Sequence, residues 1–473
     1  MISRAARCFV ALLVLSLARA SGLAAETRGR PNFIIVLADD LGWNEVGFTG
    51  NSFVDTPVVD ALAARGLVFS QAYASAPNCA PTRACLLTGQ VPPRHGIFTV
   101  VDDRNAPGSP DHPIIASDSR SELATEAVTL AEVLRDAGYA TGFFGMWNLG
   151  RGRKGPRTPE GQGFDRSVQA RDLGFATDAY FSETGTYLTD ALADACLAFM
   201  REHADRPWFV YLAPHATHAP YDPKPELLRK YEEKSMKEIP SMDPGRAATI
   251  EALDQNVGRL WQEVEAAGLT DQTVLFFTSD NGGDHRTMAP LRGGKGTLYE
   301  GGLRVPFCAV GTGIAVGRQS VSPIASVDLF PTMLELAGLP PPAGLPLDGR
   351  SLVDELRGQG SLDRTTLFWH FPCYAGRGKP SSAVRQGDMK LIEFFEDARI
   401  ELYNLARDPG ETRNLSEAEP GMAAELLAVL RTWQGDLKAP CPTTPNPLYQ
   451  PDAGQNRSRN QRGKGGKNVA RVP

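Results

Sequence analysis

Thirteen residues, Pro77 to Gly89, hold a first candidate for chemistry, a cysteine at the head of a short helix. In P-N-C-A-P-T-R-A-C-L-L-T-G, Pro81 pre-sets a helical φ, Thr82 to Thr88 can form a short helix, and Gly89 can close it. Cys79 then falls at or just before a helix N-terminus, where unpaired backbone N–H groups and the positive end of the helix dipole favour a reactive group. Arg83 returns over the same turn and adds a cation beside it. Taken alone, the pair also reads as a buried free thiol next to an ordinary surface arginine.

Carboxylates supply a second candidate. Asn32 to Leu37 (N-F-I-I-V-L) is a continuous apolar run of the kind buried on both faces of a parallel sheet, and it leads straight into Asp39 and Asp40. Open α/β sheets place ligands at that end of a strand, and adjacent carboxylates are costly unless a cation neutralises them. Thr273 to Thr278 repeats the pattern and ends in Asp280 and Asn281. Oxygen donors of this kind select Ca²⁺ or Mg²⁺ over zinc. Pro207 to Ala213 is another buried strand, and its loop P-H-A-T-H-A-P presents His215 and His218. In Leu291 to Pro306, paired glycines on either side of Lys295 let the backbone come close to a site, although the loop alone also fits a surface turn or a phosphate cradle.

These residues need a scaffold, and the elements between them supply one. Thr56 and Pro57 start a helix through Ala64, and Leu67 to Tyr73 is a strand that delivers the chain towards Cys79. Val91 to Glu126 is polar and irregular, which suits a wall of the site. Thr129 and Glu132 form a capping box, and Tyr139 to Phe144 is the next strand. Ile250, Leu253, Val257, Leu260, Trp261 and Val264 trace one face of a long helix, and Asp328 to Leu339 is a packing helix. Ser382 to Phe395 and Arg399 to Leu405 alternate as an antiparallel hairpin that Met422 to Leu437 could cover. His370, within Trp369 to Pro372, either lines a substrate entrance or belongs to core packing.

A chain of 473 residues with 42% hydrophobic and 22% charged residues is ordinary for a folded protein, and its net charge of −6 carries no nucleic-acid signal. Residues 1–25 have arginines at 4 and 7, an apolar run from Phe9 to Leu17 and small residues after it, as a signal peptide does. The run is too short for a stable membrane span. Of seven cysteines, Cys8 leaves with the signal, and the scattered remainder reads as buried thiols rather than a disulfide framework. Residues 440–473 turn Pro-, Asn- and Gly-rich, with arginines and lysines unopposed by acids after Asp452, the composition of a disordered basic tail.

Cys79-Ala80-Pro81-Thr82-Arg83 followed by Leu86-Leu87-Thr88-Gly89 resembles the type I sulfatase signature, C-x-P-[ST]-R and a leucine-rich turn. D-N-G-G at Asp280 to Gly283 and the Lys295 loop follow in that family's order. The resemblance implies an alkaline-phosphatase-like α/β fold, a mostly parallel sheet flanked by helices, over residues 31–356, with a smaller α+β domain over 365–438. It implies that a maturation enzyme converts Cys79 to formylglycine, whose hydrated aldehyde attacks sulfur. It further implies Ca²⁺, with Mg²⁺ second, on Asp39, Asp40, Asp280, Asn281 and modified Cys79. Lys295 would bridge the nucleophile and the sulfate, Arg83 would hold charge near the site, and His218 would protonate the leaving alcohol. His215, Asn148 and His370 are candidates for substrate contact.

One stretch departs from the family. Where sulfatases read G-K-W-H-L-G, this chain has Gly145-Met146-Trp147-Asn148-Leu149-Gly150, so a cation and a base are missing. Asn148 can hydrogen-bond but cannot take up a proton near neutral pH. Arg151, Arg153 and Lys154 follow, either as a replacement cation or as a solvated basic loop. The expected activity is hydrolysis of a sulfated small molecule or glycan by an exported, periplasmic or secreted enzyme, at reduced rate. A phosphate or phosphonate ester hydrolase and a non-catalytic binder of sulfated glycans are the alternatives.

Overall fold

β1, Asn32–Ala38, is buried at every position and sends its side chains alternately into two cores. Ile34, Val36 and Ala38 join one core, while Phe33, Ile35 and Leu37 join the other, the period-two pattern of a strand covered on both faces. In chain order the further strands of the computed structural model are β2 (Leu67–Phe69), β3 (Ala72–Tyr73), β4 (Ala140–Gly145), β5 (Arg166–Val168), β6 (Trp208–Ala213), β7 (Thr273–Ser279), β8 (Cys308–Gly311), β9 (Arg318–Ser320) and β10 (Ile324–Ala325). Four more follow, β11 (Thr366–Phe371), β12 (Ser381–Gln386), β13 (Met389–Phe394) and β14 (Ile400–Asn404). The structure describes residues 29–101, 108–152, 154–176, 179–237, 242–284 and 288–451, so the apolar N-terminal segment and Arg153 lie outside the described residues.

Eight strands form one sheet in the order β5-β4-β6-β1-β7-β8-β2-β9. β5 through β7 in that order run parallel, and β8 runs against both its neighbours. Helices Pro57–Ala64, Leu188–Glu202 and Pro244–Ala266 cover one face, and Cys79–Thr88, Leu130–Asp136 and Leu329–Leu336 cover the other. This is the mixed, mostly parallel, helix-flanked sheet that the resemblance implies.

β11 to β14 form a separate antiparallel sheet. Helix Pro420–Asp436 covers one face by setting Ala423, Leu426 and Leu430 against Val384, Leu391 and Leu402. The opposite face sets Trp369, Phe371 and Ile392 against Tyr73, Leu298 and Leu303, which belong to the region of the large sheet.

Several local expectations change. The strand expected over Leu67–Tyr73 divides, because β2 pairs with β8 and β9 whereas β3 pairs with β10. Thr56 makes no cap hydrogen bond and instead accepts from Gly47 N at 2.8 Å. The Thr129–Glu132 capping box is present. The long helix starts at Pro244, with Asp243 accepting from Arg246 N at 3.1 Å. The beginning of the expected disordered tail is tied down instead: Ile115 N donates to Thr444 O at 2.9 Å and Gln450 N to Pro110 O at 2.7 Å. Residues 452–473 lie outside the described residues. Among the described residues every cysteine is free, five of them buried and Cys441 exposed, and no helix is long and apolar enough to cross a membrane.

Candidate active site

β1 and β7 are parallel neighbours in register up to Ala38 and Ser279, so the residues that follow them emerge side by side. Asp280 N donates to Ala38 O and Asp40 N to Asp280 Oδ1, each at 3.1 Å, which ties the two acidic turns together. Cys79 is the first residue of its helix, after Asn78. Its Sγ lies 3.4 Å from Asp39 Oδ1, 3.6 Å from Asp40 Oδ1 and 3.3 Å from Asn281 Oδ1. Donor atoms of Asp39, Asp40, Cys79 and Asp280 all fall within 4.8 Å of one another. Residues far apart in sequence are thus brought to one point.

Two cations face this cluster. Arg83 is buried and donates from Nε and Nη2 to Asp280 Oδ2, at 3.1 and 2.7 Å, with Asp39 Oδ2 3.3 Å from Nη2. Lys295 Nζ lies 2.7 Å from Asp40 Oδ1 and 2.9 Å from Oδ2. Its loop is held by Lys295 N on Gly283 O at 3.0 Å and Gly296 N on Pro77 O at 2.7 Å. Close approach requires glycine here: a Cβ on Gly282 would sit 1.9 Å from Gly301 O.

The electrostatics correct one expectation about Cys79. Burial, then Asp280, outweighs Lys295 and pushes the thiol well above its usual range, so a helix N-terminus with Arg83 does not by itself favour a thiolate. Arg83 is already neutralised by Asp280 and Asp39. Burial and then Asp39 raise Asp280 to about 6 against the pull of Arg83. For Asp40 burial acts upward, but Lys295 and then His218 outweigh it and hold the carboxyl below the usual range.

His215 and His218 follow β6, their rings tilted against each other with centroids 4.9 Å apart. His218 Nε2 lies 3.7 Å from Asp40 Oδ2, with its side chain about one-third exposed at 34%. His215 is buried, with Nδ1 4.0 Å from Asp39 Oδ2. Met146 and Asn148 follow β4; Met146 offers its carbonyl to Arg83 Nη1, and Asn148 adopts a left-handed φ of 56°. A cavity of about 380 Å³ opens beside the cluster, lined by Met146, Asn148, Arg151, Leu188, Leu192 and His215.

His370 does not join this group. It lies in β11 with Nδ1 2.5 Å from Ser382 Oγ and Nε2 3.0 Å from Pro440 O, packed among Phe98, Phe395 and Trp433. Burial lowers its pKa to about 4, so it is a neutral packing histidine rather than part of an entrance. Sequence reasoning also passed over Glu45 and Arg246, a buried pair behind Asp40. The Asp243-Pro244 helix start was the available signal, since it puts Arg246 in the first turn.

The sulfatase family model matches residues 31–339, and the model described as N-sulphoglucosamine sulphohydrolase, C-terminal, matches residues 294–433. The chain is 31% identical to a sulfatase of Formosa agariphila, over 91% of this chain and 93% of that one. It is 32% identical to arylsulfatase A of Homo sapiens, over 89% and 90% of the two chains. Among solved structures it superposes on Ps i-CgsB in complex with k-i-k-neocarrahexaose with a TM-score of 0.72, at 24% identity, over 93% of this chain and 98% of that one. With the acidic turns, Cys79 and Lys295 already converging in space, these matches establish that the chain belongs to the sulfatase family and is a sulfatase enzyme of the alkaline-phosphatase-like fold.

Proposed function

We propose that the chain hydrolyses sulfate esters with a formylglycine made from Cys79 and a Ca²⁺ ion held by Asp39, Asp40, Asp280, Asn281 and the modified residue. The observation that carries this reading is the convergence of Asp39, Asp40, Cys79 and Asp280 within 4.8 Å. The donors fit a hard cation. They are oxygen-based, apart from the Cys79 position itself, and buried Asp39 Oδ2, 3.3 Å from Arg83 Nη2, is ion-paired but makes no hydrogen bond among the described residues. Three carboxylates against Arg83 and Lys295 leave a negative balance that a divalent ion would offset. When bound, Ca²⁺ supplies a positive charge for anionic oxygens, and formylglycine supplies an electrophilic carbon whose hydrate carries the attacking oxygen.

The chain's own residues take the other roles. Lys295 Nζ, on a loop locked to Gly283 and Pro77, gives negative charge on the sulfate group a fixed counter-charge. Arg83 keeps the acidic turns oriented through Asp280. His218, partly exposed, can exchange its proton with solvent and deliver it to the leaving oxygen. His215 and Asn148 line the adjoining cavity, where they contact the substrate. No titratable side chain stands at position 148, and turnover is correspondingly slow. The substrate is a sulfated small molecule or glycan, and export is read from the arginine-bearing apolar segment at residues 1–25.

Two measurements test this. The intact mass of the peptide carrying Cys79 is lower than that of the thiol form once the aldehyde has formed, and an unmodified thiol in protein matured with its converting enzyme would reject the nucleophile. Matured protein should also release sulfate from a panel of aryl and glycan sulfates. Faster cleavage of phosphate or phosphonate esters of the same alcohols would select the alternative hydrolase, and tight binding without product would select the non-catalytic reading.

A further inference from the structure

Arg246 has all five of its N–H donors engaged in a fully buried setting. Nε donates to Glu45 Oε1 at 2.6 Å and Nη2 to Glu45 Oε2 at 2.5 Å. The other three reach Asp40 O at 2.6 Å, Thr217 O at 2.8 Å and Tyr221 Oη at 2.9 Å. Glu45 Oε2 also accepts from Gly42 N at 2.6 Å, so the carboxylate fastens the turn that carries Asp39 and Asp40. The D-N-G-G turn abuts the same pair: a Cβ on Gly283 would lie 2.8 Å from Glu45 Oε2 and 3.0 Å from Arg246 Nη2.

The two carbonyls that Arg246 holds belong to residues of left-handed backbone, one of them a threonine. Asp40 has φ 65° and Thr217 φ 87°, left-handed values that a β-branched residue such as threonine rarely adopts. Such conformations persist where the surroundings over-determine them. Asp40 is a candidate cation ligand, and Thr217 precedes His218. One guanidinium therefore ties the acidic turn to the histidine loop, although it touches neither the cluster's donor atoms nor the cavity.

We propose that Arg246, backed by Glu45, is a positioning residue that sets the Asp40 carboxylate and the His218 ring in one shared geometry. A lysine cannot replace it, since an ammonium is a point charge with three donors and no planar fork. The inference rests on the sulfate-ester reading only for its second readout below.

The test uses full-length matured protein and Ca²⁺ alone as the first probe. In Arg246→Lys, the Ca²⁺ concentration above which the unfolding temperature begins to rise, fitted as the dissociation constant of the folded protein, should increase about tenfold or more, as loss of an outer support commonly does. Glu45→Gln should move it in the same direction by less. A merely structural role lowers the unfolding temperature without Ca²⁺ but leaves that concentration unchanged, and this overturns the proposal. Should Arg246→Lys fail to fold, Glu45→Gln decides by the same criterion. The second readout is the kcat ratio of phenyl sulfate to 4-nitrophenyl sulfate, which should fall about fivefold or more in Arg246→Lys because the poorer leaving group depends more on His218. An unchanged ratio overturns the link to His218. A parent protein that releases no sulfate rejects the reaction itself and leaves the Ca²⁺ comparison standing.

Discussion

Position 148 is where the proposed sulfate-ester chemistry makes its sharpest demand on a single residue. Asn148 sits at φ 56°, a conformation that asparagine tolerates and that histidine also adopts more readily than most residues. Asn148→His should therefore be accommodated without backbone strain. Met146 lines the cavity while its carbonyl is fixed by Arg83, so a lysine there extends from an anchored backbone. The double variant M146K/N148H should raise kcat/KM for sulfate esters by about 10²-fold, the lower range for general-base catalysis. Steady-state kinetics with 4-nitrophenyl sulfate checks this, and no rise would mean that another group already does the work. At this scale the sequence was most legible where chemistry sits directly after a strand. Asp39, Asp40, Asp280 and Asn281 were readable because a buried apolar run points at them. Glu45 and Arg246 were not, because their function lies in backbone carbonyls that only the folded chain brings together.

The Lys295 loop is an element whose placement depends on a buried charge cluster. Lys390 of β13 is fully buried between Glu300 Oε1 and Glu411 Oε1, each 2.9 Å from its Nζ, and Glu411 Oε2 accepts from Glu300 N at 2.6 Å. Tyr73 Oη donates to Glu300 Oε2 at 2.8 Å. Glu300 begins the short helix that closes the loop. Burial raises Glu411 to about 7 despite Lys390, with Glu300 adding to the rise. From its ordinary value of 4.5 up to 7 the folded state holds the Glu411 proton more tightly than the unfolded chain does. Stability should therefore fall as pH rises through that window, by up to about 3 kcal/mol. Glu300 is shifted downward, so its contribution is complete above the ordinary range and does not mask the trend. Urea unfolding between pH 5 and 8 should show a flatter profile for Glu411→Gln than for the parent; parallel profiles would reject the assignment. None of this cluster was visible in the sequence. Lys390 lies within the stretch that alternates as a hairpin, where nothing singles it out, and only the packing of that hairpin on the loop buries it between two carboxylates.

At the scale of the whole molecule, the antiparallel sheet serves as a wall of the catalytic body. Trp369 stacks edge-on against Tyr73 at 5.2 Å and donates from Nε1 to Ala74 O at 2.9 Å, just before the segment that leads to Cys79. Phe371 and Ile392 share a core with Leu298 and Leu303, and Lys390 adds the buried ion pairs. The resemblance separated residues 31–356 from 365–438, and the sequence pattern does not reveal their shared core, because the contributing residues alternate with others on each strand. Units joined by apolar packing and by a charge that neither can leave uncompensated should unfold together. Differential scanning calorimetry of the Ca²⁺-free protein should accordingly show one transition. Trp369→Ala should lower that transition as a whole, at a cost of about 3–5 kcal/mol for truncating a buried tryptophan. Two resolved transitions in the parent protein, with only one of them sensitive to Trp369→Ala, would show that the sheets fold as independent bodies and that the Lys295 loop takes no support from β13.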